Sequence, residues 1–154
     1  MAPKTSLTES QVNVRIKISA LWMSMLFVFA YVDLFSLYRP DFRADLQAGE
    51  VGGHAVSSAF LLGATAYIAI PAVMAFGTLI LRPHIARYTN LGLSAVYAAS
   101  ISAGAIGEWS YYVAGSAIEV ALLAAITYCA WTWPTHPGRP PLPEAPDVHV
   151  GVTS

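Results

Sequence analysis

The chain has 154 residues, of which 56% are hydrophobic and only 11% are charged, and its mean hydropathy is +0.55. A soluble domain of this length rarely has such a composition, which indicates an integral membrane protein. The formal net charge of -1 excludes a general attraction to nucleic acid, so the expected partner is the lipid bilayer and no nucleic acid. The single cysteine, Cys129, excludes an internal disulfide framework and a cysteine-based zinc site.

The first predicted element is a membrane-spanning helix over residues 16–38, preceded by a flexible tail over residues 1–14. A helix of this length would rise about 34 Å, enough for a hydrocarbon core of roughly 30 Å with some tilt. The apolar stretch runs directly into Tyr31–Tyr38, without the small-residue cleavage site of a secretory signal. We therefore expect this segment to remain in the membrane.

The second and third predicted spans cover residues 55–81 and 89–106, with a short loop at 82–87 between them. Pro71 predicts a kink in the second span, because proline cannot donate to the preceding turn and crowds the carbonyl of Tyr67. The third span carries small residues at every fourth position, which predicts a smooth strip for close helix packing. These residues are Ala95, Ala99, Ala103 and Gly107.

The fourth predicted span covers residues 111–133 and ends at Pro134. Aromatic residues near the predicted helix ends, among them Trp22 and Trp131, resemble the aromatic belts of membrane interfaces. Residues 135–154 are rich in proline and poor in large apolar residues, which predicts a disordered tail. The predicted fold is all-α, a bundle of four transmembrane helices within a membrane domain of residues 15–134.

The distribution of lysine and arginine predicts the orientation of this bundle. One side of the predicted membrane domain has six of them, Lys4, Arg15, Lys17, Arg82, Arg87 and Arg139, and the other side has Arg39 and Arg43. Because basic residues concentrate on the cytoplasmic side, both termini are expected inside. The loop of residues 39–54 and the turn around Glu108 would then face outward.

Two acidic residues lie inside predicted spans, where an ionisable side chain is costly and indicates a functional site. Asp33 is about 7 to 8 Å inside the outer end of the first helix, although snorkelling or local water could also reach it. Glu119 lies deeper, eleven residues after Glu108. If the helix is continuous, Glu108, Tyr112, Gly115 and Glu119 form one polar stripe that leads inward.

The antiparallel first and fourth helices would bring Asp33 and Glu119 to one outward-facing cavity. His54 shares a face of the second helix with Ser58 and Thr65, and Tyr31 and Tyr112 supply aromatic faces that attract cations. The alternative is that these polar side chains satisfy one another and only specify helix packing. Because the sequence has no close-spaced ligand motif, no metal and no cofactor are expected.

Four sequence segments resemble a known family. They are Val14–Trp22, Tyr31–Tyr38, Gly107–Tyr112 with Glu119, and Trp131–Pro134. Together they resemble an uncharacterised bacterial family of small four-helix integral membrane proteins, classed only as a domain of unknown function, over about residues 12–134. The resemblance implies a multi-pass protein of the bacterial plasma membrane, and it implies no activity.

Three functions remain open from the sequence. The first is a small transporter or binding protein whose acidic and aromatic cavity takes a proton or a cationic ligand. Its expected binding residues are Asp33, Glu119, Glu108, Tyr112, Tyr31 and His54. The second is an accessory or assembly subunit, packed in a homo-oligomer or a larger membrane complex. The third is a membrane enzyme acting on a lipid or isoprenoid, but no catalytic motif demands it and a non-enzymatic function is favoured.

Overall fold

The computed structural model describes residues 12–133, which fold mainly into four long helices. The elements in chain order are α1 (Val14–Ser36), α2 (Pro40–Gln47), β1 (Glu50–Val51), β2 (His54–Ala55), α3 (Ser58–Ile80), α4 (Pro83–Gly104) and α5 (Ser110–Trp131). The short helix α2 and the antiparallel β1–β2 hairpin form the connection between α1 and α3. The tails predicted at residues 1–11 and 134–154 lie outside the described residues.

Three of the long helices, α1, α3 and α5, are long and apolar enough to cross a membrane. Helix α4 is equally long, but its sequence is interrupted by polar residues such as Arg87, Asn90 and Ser94, and it does not belong to this group. Three of the four predicted spans therefore coincide with helices of membrane-spanning length and composition. This composition marks the chain as membrane-associated.

The helix boundaries differ from the prediction where a capping residue or a proline sets the first turn. Helix α4 begins at Pro83, because proline fits the first helical position at no cost in hydrogen bonds, and the predicted loop at residues 82–87 is therefore wrong for most of its length. Helix α3 begins at Ser58, because the Ser57 side chain caps the helix by accepting a hydrogen bond from the Phe60 amide at 3.2 Å. Asn13 caps α1 in the same way, so the N-terminal tail ends before residue 14.

Helices α1 and α5 form the centre of the bundle, with α3 packed on α1 and α4 packed on α5. The hydroxyls of Ser36 and Tyr111 share a hydrogen bond of 2.9 Å, and Val32 packs directly on Gly115. These two contacts define an antiparallel register in which the C-terminal end of α1 lies beside the N-terminal end of α5. At Gly115 the two helices approach so closely that a Cβ atom would overlap Cγ2 of Val32.

A buried hydrogen-bond network joins α1, α3 and α4. The indole N–H of Trp22 donates to Oδ1 of Asn90 at 2.7 Å, and the Asn90 amide donates to the Thr78 hydroxyl at 3.0 Å and to the Ala86 carbonyl at 2.7 Å. Trp22 is completely buried and packs edge-on against Tyr97, so its predicted place in an interfacial aromatic belt is wrong. The hydrogen bond to Asn90 allows the indole to be buried without an unsatisfied donor.

Helix α3 continues through Pro71, which is buried against its neighbours. Since proline has no N–H, the Tyr67 carbonyl lacks its usual intrahelical donor. The Tyr97 hydroxyl of α4 donates to this carbonyl at 2.6 Å, and the Tyr67 hydroxyl pairs with Ser100 at 2.7 Å. Two tyrosines thus satisfy the polar groups around the proline and join α3 to α4.

The small-residue strip of α4 does not mediate packing inside the chain. Ala95, Ala99 and Ala103 are all exposed, and Gly107 lies beyond the helix in the turn to α5. The buried face of α4 lies elsewhere on the helix and consists mostly of larger or polar side chains; its residues are Ala86, Asn90, Ser94, Tyr97 and Ile101. The strip is therefore turned away from α5.

Candidate functional site

A cavity of about 570 Å³ opens at the end of the bundle where α1 ends and α5 begins. The last turns of α1, the short helix α2, the β1–β2 hairpin and the α4–α5 turn enclose it. Its polar lining residues are Asp33, Ser36, Arg39, Asp41, Asp45, Glu108 and Tyr112. Four carboxyl groups thus face this space together with one guanidinium group, which makes the cavity strongly acidic.

Arg39 joins the two halves of the cavity wall. It precedes α2 in an extended conformation, because Pro40 takes the first helical position. Its guanidinium group donates to Glu108 at 2.5 Å and to Asp41 at 2.7 Å, and it lies 4.8 Å from the Trp109 ring centroid. The side chain therefore connects the start of α2 to the α4–α5 turn.

The two carboxylates bound to Arg39 also stabilise its charge. The hydrogen bond to Asp41, followed by the one to Glu108, raises the pKa of Arg39 above its ordinary value. The same hydrogen bond lowers the pKa of Asp41. Arg39 is consequently always charged and already engaged, so it cannot neutralise the other carboxyl groups of the cavity.

Asp33 and Asp45 are the carboxyl groups of the lining that Arg39 does not reach. Among residues 12–133, no basic side chain forms an ion pair with either of them. Asp33 lies one turn before the end of α1, with its side chain exposed in the cavity, and Asp45 lies on α2 one turn after Asp41. The cavity thus contains two acidic groups that lack a basic partner within the described chain.

Glu119 lies deeper in the bundle, on the face of α5 that also presents Tyr112 two turns earlier. It is only 2% exposed, and its Oε1 atom has no hydrogen-bond partner among residues 12–133. In the register of α1 on α5, it lies deeper in the bundle than Asp33 on the neighbouring helix. Glu119 does not line the cavity and lies just beneath it.

The predicted continuous stripe from Glu108 to Glu119 is broken, because the helix does not include Glu108. Gly107 adopts a left-handed conformation with φ of 83°, Trp109 is extended, and α5 begins at Ser110. Glu108 nevertheless lines the same cavity as Tyr112, since its carboxylate is held there by Arg39. A tertiary ion pair, and not helical periodicity, brings the two residues together.

Two of the predicted binding residues lie elsewhere. Tyr31 faces a separate apolar groove between α1 and α5, beside Phe35 and Tyr111. His54 lies in β2, with Nδ1 2.9 Å from the Gly52 carbonyl oxygen and its ring stacked on Phe60. The structure thus gathers Asp33, Glu108 and Tyr112 in the cavity, places Glu119 below it, and leaves Tyr31 and His54 outside its lining.

Asp41 and Asp45 are cavity residues that the sequence does not single out, because the polar stretch of residues 39–54 predicts only an outer loop. A proline at a first helical position followed by an acidic residue is a helix-start signal, and it would have predicted α2. The four-residue spacing of Asp41 and Asp45 then places both on one face of that helix. The connection to the cavity, however, depends on the tertiary fold.

The opposite end of the bundle is basic. Arg15, Lys17, Arg82 and Arg87 lie there, whereas all acidic residues within the described range of 12–133 lie in the half that contains the cavity. Arg15 donates to the Leu79 carbonyl at 2.8 Å, and Arg87 donates to the Trp131 carbonyl at 3.1 Å. These bonds satisfy exposed carbonyls at the C-terminal ends of α3 and α5, where cations are favourable.

No group of three or more histidine, cysteine, aspartate or glutamate side chains within residues 12–133 is arranged to hold a metal ion.

No curated protein and no solved structure matches the chain. A family model does match, over residues 6–137, which includes all the cavity residues and confirms the resemblance to a family of unknown function. The chain therefore belongs to the Family of unknown function (DUF6326).

Proposed function

We propose that this membrane protein is a small transporter or binding protein that takes an organic cation into the acidic cavity. The observation that carries the proposal is the pair of carboxyl groups, Asp33 and Asp45, that face the cavity with no basic partner among the described residues. Arg39 is already bound to two other carboxylates, so the lining retains an excess of negative charge. A bound cation would offset this charge.

The size and the lining favour an organic cation over a bare metal ion. A volume of about 570 Å³ lies within the range of small-molecule sites. The rings of Tyr112 and Phe42 contribute aromatic surface beside the carboxyl groups, and such surfaces attract organic cations. A metal ion would instead require several ligand atoms converging on one point.

We further propose that α4 is the fourth membrane span, with both termini in the cytoplasm of a bacterium. Its polar residues Asn90, Ser94 and Tyr97 are buried against the other helices, while Val96 and the small-residue strip face outward. A helix whose polar groups are bonded inside the bundle is compatible with lipid despite a modest average hydropathy. The basic end would then face the cytoplasm and the acidic cavity the outside.

Cysteine labelling tests this topology. In a Cys129→Ser background we expect a membrane-impermeant maleimide to label Arg43→Cys on intact cells. The same maleimide should label Arg82→Cys and Thr132→Cys only after the membrane is permeabilised. Labelling of both Arg43→Cys and Thr132→Cys on intact cells would mean that α4 does not cross. Labelling of Arg82→Cys and Thr132→Cys without Arg43→Cys would reverse the orientation.

Calorimetric titration of the detergent-solubilised protein with tetramethylammonium tests the proposed binding. We expect saturable binding, and Asp33→Asn should weaken it at least about tenfold because a cation close to a carboxylate loses its main attraction. Glu50→Gln is the matched control, since it removes one acidic charge from the same end of the bundle but outside the cavity lining. No binding by the wild type, or equal losses in both variants, would contradict the proposed site.

The accessory-subunit function is a second candidate because the small-residue strip of α4 is exposed. Strips of this kind allow close approach of a second transmembrane helix. In this case the strip would pack against a transmembrane helix of a larger membrane complex, and the acidic cavity would have no part in the function. Extraction in a mild detergent should then give a particle larger than the single chain, and recovery of the chain alone would contradict this candidate.

A further inference from the structure

Glu119 is a buried ionisable group that the proposed cation site does not use. Its side chain is 2% exposed, and Oε1 has no hydrogen-bond partner among residues 12–133. An isolated carboxylate inside a low-dielectric interior is far costlier than a neutral carboxyl group. A carboxyl group in this position therefore requires either a proton or a nearby positive charge.

The packing of α1 on α5 brings this group under the cavity. In the register defined by Ser36 beside Tyr111 and Val32 beside Gly115, Asp33 lies opposite residue 114. Glu119 is then about five residues deeper along α5, or roughly 7.5 Å. Because helical side chains tilt toward the N-terminus of their own helix, the two carboxyl groups on antiparallel helices lean toward each other.

The other titratable groups near this position are few. On α5 itself Tyr112 lies between Glu119 and the cavity, and Asp33 and Glu108 line the cavity beside it. Helices α3 and α4 contribute Tyr67 and Tyr97 to the interior, and both hydroxyls are hydrogen-bonded elsewhere. Among the described residues, Asp33 is thus the acidic group that the packing of α1 on α5 places above Glu119.

We propose that Glu119 is a proton-binding site that exchanges its proton against a cation bound beside Asp33. The inference rests on the proposed cation site and deepens it. Without the cation, the Glu119 carboxyl group holds a proton. When a cation enters the cavity, its positive charge stabilises the Glu119 carboxylate, the O–H bond breaks, and the proton leaves to water in the cavity. When the cation leaves, a proton from water restores the neutral carboxyl group.

The exchange follows from thermodynamic linkage, because the charge of the bound cation and the charge of the Glu119 carboxylate attract each other. If a bound cation favours loss of the proton from Glu119, then binding of the proton must weaken cation binding by the same factor. No oxidant or reductant is needed, because one positive charge enters as another leaves. The proposed function thereby becomes a proton-coupled cation exchange, in which the proton and the cation compete for the acidic end of the bundle.

Proton release upon cation binding tests the proposal. Tetramethylammonium is added to the full-length protein in weakly buffered detergent solution, and a pH-indicator dye reports the protons released. We expect the wild type to release up to about one proton per bound cation. Glu119→Gln should bind the cation but release no proton near neutral pH, and its affinity should weaken with falling pH only where the cavity carboxyl groups themselves take up protons. Glu50→Gln should behave as the wild type.

The outcomes separate this inference from the proposed function. Cation binding without proton release in the wild type, or unchanged release by Glu119→Gln, would overturn the proton site while leaving the cation site intact. Absence of cation binding would overturn the proposed function itself. If Glu119→Gln fails to fold, infrared difference spectra of the wild type with ¹³C-labelled glutamate decide the question. A protonated glutamate band should disappear on cation binding, and an unchanged spectrum would contradict the exchange.

Discussion

Replacement of Asn90 by leucine is expected to lower the free energy of unfolding by about 2–3 kcal/mol, because it leaves buried polar groups without partners. Asn90 is fully buried and bonds to Trp22 of α1 and Thr78 of α3. Leucine has a similar volume but can neither accept from the indole N–H nor donate to the threonine hydroxyl. Equilibrium unfolding in mixed micelles, followed by the circular dichroism of the helices, would measure the loss.

Ser102→Ala is the matched control for this prediction. Ser102 lies on the same helix and donates a hydrogen bond of 2.7 Å, but its bond is exposed and stays within α4. Its removal should change stability by less than about 0.5 kcal/mol. A similar loss for both variants would show that the network around Asn90 does not hold the helices together.

Replacement of Gly115 by alanine should cost about 1–3 kcal/mol, since the added methyl group overlaps Val32 and pushes α1 away from α5. The same shift would separate Asp33 from the groups on α5, so we also expect weaker tetramethylammonium binding. The additional replacement Val32→Ala should restore part of the stability by making room for the methyl group. Unfolding in mixed micelles and calorimetric titration would measure the two effects.

Gly92→Ala provides the control for this second prediction. Gly92 also lies inside a long helix, but a Cβ atom there meets nothing within 4 Å. Alanine is the better helix former, so this change should leave stability unchanged or raise it slightly. If Gly92→Ala destabilised the protein as much as Gly115→Ala, the effect would belong to the loss of glycine and not to the contact with Val32.

Long, predominantly apolar segments made α1, α3 and α5 predictable to within a few residues. The bilayer demands this pattern because every exposed side chain must be compatible with lipid and every backbone group must be bonded within the helix. The first turns of α4 were predicted less well, because Pro83, His84 and Arg87 give them the polar character of a loop. Farther along the helix, Asn90, Ser94 and Tyr97 are bonded to residues of other helices, which no local window of sequence reveals.

The sequence also identified Asp33 and Glu119, because an acidic residue in an apolar segment is conspicuous without any structure. It could not show that one of them faces an open cavity while the other is buried beneath it. That difference depends on the contact of Val32 with Gly115 and on the pair of Ser36 and Tyr111, which fix the register of α1 on α5. Burial is a property of the assembled helices, not of either segment alone.

By itself, the sequence determined the helical class, the membrane association, and the separation of basic from acidic ends, since these depend on composition and on order along the chain. Only the tertiary structure decided which residues form the cavity. Asp41 and Glu108 lie on segments distant in sequence, and Arg39 brings them together because one planar guanidinium group can bond two carboxylates at once. The same contacts leave Asp33 and Asp45 without a basic partner among residues 12–133, which makes the acidic end a candidate binding site.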